Sequence, residues 1–238
     1  MTATTPRARA RARTMEDIVR IGREHLAIHG AAALSLRAVA RDLGVVSSAV
    51  YRYVRSRDEL LTLLVVDGYC ELADAVDAAL AAAPEDPIER FLVAGRALRE
   101  WAVAEPARYG LLYGTPVPGY EAPAEQTVAP GTRVTGALLQ ICETAHRAGV
   151  LAAPDPVPQF SPALAVDLGR IRDEVGLSMP DWLLSRAISL WSGLIGAVSA
   201  EVFEMFGADS FTDNAEVFEQ QLGNLVAMLG FEQAPHGK

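Results

Sequence analysis

Residues 36–55 read LRAVARDLGVVSSAVYRYVR, and the spacing is that of two short helices joined by a tight turn. Ala40 is small enough to let two helices cross closely. Gly44, four positions later, tolerates the positive φ that such a turn requires. Val39, Leu43, Val45 and Val50 supply apolar side chains to pin the pair together. A plain helical hairpin would share the apolar positions but not the whole set of offsets. The pattern is a helix-turn-helix, whose second helix lies in the major groove of DNA with its N-terminal residues at the base edges.

Those residues are Val46, Ser47, Ser48 and Ala49. Their small size and two hydroxyls suit apolar contact with thymine methyls and short hydrogen bonds. Tyr51, Arg52 and Tyr53 end the second helix, where long side chains reach phosphates, and Arg37 and Arg57 are further phosphate clamps. Such contacts set register without reading sequence. The plainer alternatives are solvated arginines and core tyrosines with their hydroxyls at the rim.

Charge along the chain agrees. The 238 residues carry −9 overall, which taken alone argues against a nucleic-acid partner. Residues 1–57, however, hold 11 arginines, no lysine and 4 acids, a net of +7, leaving −16 on residues 58–238. Such asymmetry points to a polyanion at the basic end. Half the residues are apolar, enough for a substantial core and incompatible with wholesale disorder.

No useful strand alternation occurs; the apolar period is helical nearly throughout. A first helix runs through Met15, Ile18 and Leu26 to His29-Gly30, the second ends near Leu43, and the third spans about Ser47–Tyr53. Ser56 to Glu59 form a capping box that opens a long helix to about Ala82. Pro87 and Pro106 punctuate the next two helices, and residues 114–131, with four prolines, read as a loop or lid. Helices at about 132–148, 163–176, 181–206 and 214–229 complete an all-α chain of about ten helices. The expected division is a disordered basic arm at 1–13, a DNA-binding domain at 14–58, a ligand-binding and dimerisation domain at 59–231 and a tail at 232–238. Arg7, Arg9, Arg11 and Arg13 of the arm would add minor-groove or phosphate contacts, or simply be solvated.

The stretch Leu34–Leu61, LSLRAVARDLGVVSSAVYRYVRSRDELL, resembles the tetracycline-repressor (TetR) family of bacterial regulators. The family's Ser or Thr two positions after the turn glycine is replaced by Val46, with Ser47 next, and its common Lys at the start of the fourth helix is Arg57. The later stretches Trp101–Tyr109, Leu111–Gly119 and Trp191–Gly196 are similar to the WHG-type ligand domain, with Ile195 where that subgroup has His. The resemblance implies a cytoplasmic, ligand-responsive homodimer on a palindromic operator, most simply a repressor. An activator, or a regulator controlled by a protein partner, is the alternative.

A ligand site and a dimer seam can be read from the residues as well. Trp101, Tyr109, Leu112 and Tyr113 surround the Pro106 break, and Leu138, Leu139 and Cys142 on the next long helix can line the far side of a cavity. The scarcity of charge there favours an apolar or aromatic effector; the alternative is that these side chains are only core. Residues 187–200 are apolar on most of their circumference, so Ile188, Trp191, Ile195 and Val198 can face a partner subunit. Phe218, Leu222 and Leu225 offer a second seam, making an isologous four-helix contact. Simple internal packing of both helices is the competing reading.

No apolar h-region follows the basic N-terminus; an organellar transit peptide fits its Arg- and Ala-rich composition and remains the alternative. The longest uncharged stretch, Ala187–Ala200, is shorter than the roughly 20 residues of a membrane span. Cys70 and Cys142 match no metal or redox spacing and read as buried thiols. His25 and His29 are four apart but lack a third ligand, reading as surface histidines, and no nucleophile or phosphate-loop motif is present. No metal, no cofactor and no enzymatic activity are expected.

Overall fold

The computed structural model describes residues 5–207 and 209–231. Eleven α-helices form among them: α1 (Pro6–His29), α2 (Leu36–Asp42), α3 (Ser47–Val50), α4 (Arg57–Ala82), α5 (Pro87–Ala104), α6 (Pro106–Tyr113), α7 (Ala124–Gly131), α8 (Arg133–Arg147), α9 (Pro162–Val175), α10 (Asp181–Val202) and α11 (Asn214–Met228). A 3-10 turn at Ala31–Ala33 joins α1 to α2. The described residues hold no strand beyond an isolated bridge between Leu151 and Phe231.

The local chemistry of the ends sets most boundaries. Thr5 caps α1 by accepting the Ala8 N–H, and Pro6 sits in the first turn, where its missing N–H costs nothing. Residues 6–13 are therefore helical and not a disordered arm, because alternating Arg and Ala are strong helix formers behind a good cap. Ser161 and Asp213 cap α9 and α11 in the same way. Two further expectations change. Helix α3 ends at Val50, earlier than its apolar pattern suggests, and the proline-rich stretch 114–131 contains α7, with Pro130 tolerated beside its C-terminal end.

The chain divides into two compact units. Among the described residues, one falls within 1–71 and 104–131 and the other within 72–103 and 132–238. In this grouping α6 and α7 fall in the same unit as the helix-turn-helix. The tail at 232–238 lies outside the described residues.

In the first unit Ile18, Val39, Ala40, Val54, Leu60 and Leu64 are buried together, and Leu111, Val117 and Tyr120 from the 104–131 segment pack against this core. In the second unit α10 is central, touching α8, α9 and α11. It is long and apolar enough to cross a membrane, with a mean hydropathy of 1.4. Yet Leu183, Leu190, Leu194 and Val198 are buried within the unit while Ser189, Ser192 and Gly196 are exposed. That division is what a core helix with one outward face shows.

Candidate functional site

Helix α2 ends in a Schellman motif built on Gly44, whose φ is +70°. Val45 N–H donates to Ala40 O and Gly44 N–H to Arg41 O, each at 3.0 Å. These two bonds satisfy end carbonyls of α2 and turn the chain sharply toward α3. Val39, Ala40 and Val50 are buried at the crossing as expected. Val45 is not a pin: it is 44% exposed, because the Schellman turn points it outward.

Val46 takes the N-cap position of α3, with extended backbone and no side-chain cap. Ser47 therefore opens the helix, as it would behind a hydroxyl cap at position 46, so the cap keeps its place and only its side-chain hydrogen bond is missing. Val46 is 71% exposed and Ser48 exposed, with Ser47 and Ala49 half-buried beside them. Tyr51, Arg52 and Arg37 are exposed. Among the described residues no ion pair engages Arg37 or Arg52. Tyr53 is half-buried, and the Arg11 guanidinium lies over its ring, 5.2 Å from the centroid.

Arg57 is placed differently from Arg37 and Arg52, the other arginines expected to clamp phosphates. Its guanidinium donates to the carbonyls of Ala31 and Ala32, at 2.9 and 3.3 Å, tying the start of α4 to the 3-10 turn. The neighbouring capping box is also shifted. Glu59 N–H donates to Ser56 Oγ at 3.1 Å, but the Glu59 carboxylate accepts from Arg55 N–H at 2.6 Å, one residue before the cap. His25, read as a surface histidine, is buried and hydrogen-bonds Asp42 at 2.6 Å, joining α1 to the end of α2. Hydrogen bonding to His25, helped by Arg41, holds the Asp42 carboxyl below its ordinary range.

The residues expected to line a ligand cavity fall in both units. In the first, Tyr109 is fully buried and packs against Tyr113, with ring centroids 5.1 Å apart, and Tyr113 meets Tyr69 of α4 edge-on at 6.1 Å. Burial pushes the phenols of Tyr69 and Tyr113 above their usual range, so both stay neutral donors. Leu112 is half-buried and sits over Gly68, where an added Cβ would come within 3.3 Å of it. In the second, Trp101, Leu138, Leu139 and Cys142 are buried. Burial raises the Cys142 thiol to about 12, leaving it an inert apolar group.

Three features escape a reading by periodicity. Tyr69 sits on α4, far in sequence from the Pro106 break. Tyr120, from the loop after α6, meets the Thr62 hydroxyl at 3.1 Å. Arg108 lies on α6 beside Tyr109, only 3% exposed. Its guanidinium donates to Glu71 at 2.7 Å and to Asp67 at 3.0 Å, both on α4, and Glu105 lies 3.6 Å away. Arg23 of α1 shares the same two carboxylates, reaching Asp67 at 2.6 Å and Glu71 at 3.2 Å. Asp67 and Glu71 are four apart, one turn of α4, which was the only sequence signal for this junction.

The expected dimer residues divide as well. Ile188 is exposed and Trp191, Ile195 and Leu225 are half-buried on the surfaces of α10 and α11. Val198, Phe218 and Leu222 are instead 0–2% exposed within their own unit, so they cannot form a seam. A Cβ at Gly193 would come 2.5 Å from Leu225, so this glycine serves the approach of α10 to its own α11.

Known proteins agree with this architecture. Residues 18–64 match the family described as bacterial regulatory proteins, tetR family, and residues 91–225 match the tetracyclin repressor-like C-terminal domain. The HTH-type transcriptional regulators Rv1816 of Mycobacterium tuberculosis and Mb1846 of Mycobacterium bovis are each 48% identical over 222 residues, covering 92% of this chain and 94% of the relative. The crystal structure of the regulatory protein SCO4313 is 34% identical, with a TM-score of 0.75 over 94% of this chain and all of that one. A Rhodococcus protein of unknown function, 21% identical with a TM-score of 0.68, shares the fold. The chain belongs to the tetR family of DNA-binding bacterial transcription regulators.

Proposed function

We propose that this regulator is a ligand-responsive repressor that works in the cytoplasm as a homodimer and leaves its operator when a small apolar or aromatic effector binds. The observation that carries the reading is the Tyr69, Tyr109 and Tyr113 cluster on α4 and α6, in the same compact unit as the helix-turn-helix. An apolar group with phenolic tips is suited to orient an aromatic or lipophilic molecule. Arg108, next to Tyr109, is held by the acids of α4 and shares them with α1. A ligand that displaces α6 therefore strains the helices that carry the DNA-reading turn. Coupling of about 1–3 kcal/mol suffices to change operator affinity roughly 5- to 150-fold.

On DNA, Val46, Ser47, Ser48 and Ala49 read the base edges, and Arg37, Tyr51 and Arg52 hold phosphates. Arg57, bonded to the 3-10 turn, orients the start of α4, and Tyr53 supports Arg11. Two heads enter successive major grooves about 34–36 Å apart. The dimer uses the outward side of α10, with Ile188, Trp191 and Ile195, together with Leu225 of α11.

Footprinting on the DNA upstream of the protein's own gene tests this reading. The expected result is a two-fold symmetric footprint, lost when an apolar effector found by native mass spectrometry of the purified protein is added. Binding to that DNA that no small molecule relieves would overturn the ligand-responsive part.

A further inference from the structure

We infer that the first two turns of α1 form a rigid phosphate-binding rail that extends each DNA-reading head along the duplex backbone. The inference rests on the DNA-binding reading above, and it replaces a flexible minor-groove arm with a helical surface.

The buried stripe of α1 holds Ile18, Gly22 and Leu26, with Met15 packed against the same core. Stepping back along the helix by four residues at a time from Met15 reaches Arg11 and then Arg7. The stripe that faces the core thus continues past the end of the core with arginines in place of apolar residues. The overhang from Met15 to Arg7 is about 12 Å long at about 1.5 Å per residue. Arg11 shows where this stripe points, since its guanidinium lies over Tyr53 at the end of the recognition segment. Arg9 and Arg13 occupy the opposite stripe.

No ion pair within the described residues neutralises these charges. Residues 1–15 contain no acid, and none of Arg7, Arg9, Arg11 and Arg13 makes an ion pair among the described residues. Of the acids that follow, Asp17 and Glu24 are engaged by Arg20, and Glu16, one turn beyond Arg13 on the outer stripe, makes no ion pair with these arginines among the described residues. Four arginines within seven residues repel one another, and a helix that holds them in two fixed stripes suits a regular array of anions. Duplex DNA provides that array beside the recognition helix, and a guanidinium fits a phosphate with paired donors. The Tyr53 ring keeps Arg11 from collapsing onto the protein and leaves its edge donors free to reach outward.

The test is the salt dependence of binding to a random-sequence duplex of about 30 bp, followed by fluorescence anisotropy from about 50 to 200 mM salt. The R7Q/R11Q variant removes the inner stripe, and R9Q/R13Q removes the outer one with the same change of charge. If Arg7 and Arg11 each hold one phosphate, R7Q/R11Q lowers the slope of log K against log salt by about 1.8 per docked head. Over a fourfold change in salt, that is roughly a 12-fold smaller loss of affinity than wild type shows. R9Q/R13Q should lower the slope by less than half as much, and R7K/R11K, which keeps the charges, should retain most of it. Thermal melting of each variant confirms that the fold is intact.

Equal losses from the two pairs would overturn the rail, since only a non-directional basic tail treats both stripes alike. No loss from either pair, with a steep wild-type slope, would also overturn it while leaving DNA binding standing. A flat wild-type slope would remove the DNA-binding reading itself. Equal binding to a single strand of the same length would redirect the surface away from duplex DNA.

Discussion

Replacing Glu143 by alanine tests how the second unit anchors α10. The side chain is 2% exposed, and its Oε2 accepts the backbone N–H groups of Ser178 and Met179, each at 3.0 Å. Its Oε1 accepts from Arg147 Nε at 2.7 Å and from the Ser178 hydroxyl. The carboxylate thus holds the connection between α9 and α10 onto α8. In E143A the Met179 N–H is left buried without this acceptor, while the Ser178 groups and the exposed Arg147 can recruit water. A lost hydrogen bond to a charged group is worth about 1.5–3 kcal/mol, so the two backbone bonds together predict a loss of about 3 kcal/mol. For a chain of this size that is a fall in Tm of roughly 6–12 °C. E143Q keeps an acceptor for the two amides and should lose only about 1 kcal/mol, mostly where its NH2 meets the donor from Arg147.

The pH dependence has a defined sign. Burial pushes the Glu143 carboxyl up, but the hydrogen bonds from Ser178, Met179 and Arg147 outweigh it and hold the carboxyl below the usual range. The folded state therefore binds this proton less readily than the unfolded chain. The stabilisation is complete above the unfolded value of about 4.3 and is lost as pH falls through the lower folded value. Urea unfolding at neutral pH and in steps down to about pH 3 measures both quantities. The stability difference between wild type and E143Q should shrink across the acid steps. An E143A loss below about 1 kcal/mol at neutral pH, or equal losses in E143A and E143Q, would refute the anchoring argument.

Three other outcomes follow from packing and charge. R108M removes one of the cations that share Asp67 and Glu71 and leaves Arg23 on both, so it should cost about 2–3 kcal/mol, less than a wholly orphaned buried charge, and weaken operator binding; unchanged melting and unchanged binding would show the junction to be dispensable. G95A places a Cβ 2.7 Å from Leu222, which is fully buried, whereas G193A meets half-buried Leu225, which has room to rotate. G95A should therefore be the more destabilising, by about 1 kcal/mol after the gain in helix propensity, and the reverse order in urea midpoints would contradict the packing. I195D, on the outward side of α10, should leave a folded chain that sediments as a monomer and binds the operator at least 10-fold more weakly, by loss of about 1.4 kcal/mol or more of avidity. L222D should fail to fold, and a folded, dimeric I195D would move the seam elsewhere.

The helix-turn-helix was legible because its requirements are local. Ala40, Gly44 and the apolar offsets act within a few residues, and Gly44 adopts the positive φ expected of it. The cap at Ser56, Pro87 at the start of α5 and the helical period of the body were legible for the same reason. Burial was harder, since an apolar helix face does not say which neighbour covers it. Phe218 and Leu222 look like a seam in the linear pattern, yet Leu222 lies against Gly95, more than a hundred residues away. His25 and Arg108 were opaque because a polar side chain becomes a buried tie only when a distant carboxylate meets it.

By itself, the sequence determined the all-α class, the position of the DNA-reading turn and the basic character of the head. These follow from backbone preference, helical period and net charge, which sum over neighbours in the chain. Only the tertiary structure decided that α6 and α7 join the head and that Arg7 and Arg11 continue the inner stripe of α1 beyond its core. It also decided that the acids of α4 are shared between Arg23 and Arg108. Those outcomes depend on which surfaces meet, and hydrophobic burial is indifferent to partner until shape and charge complementarity select one.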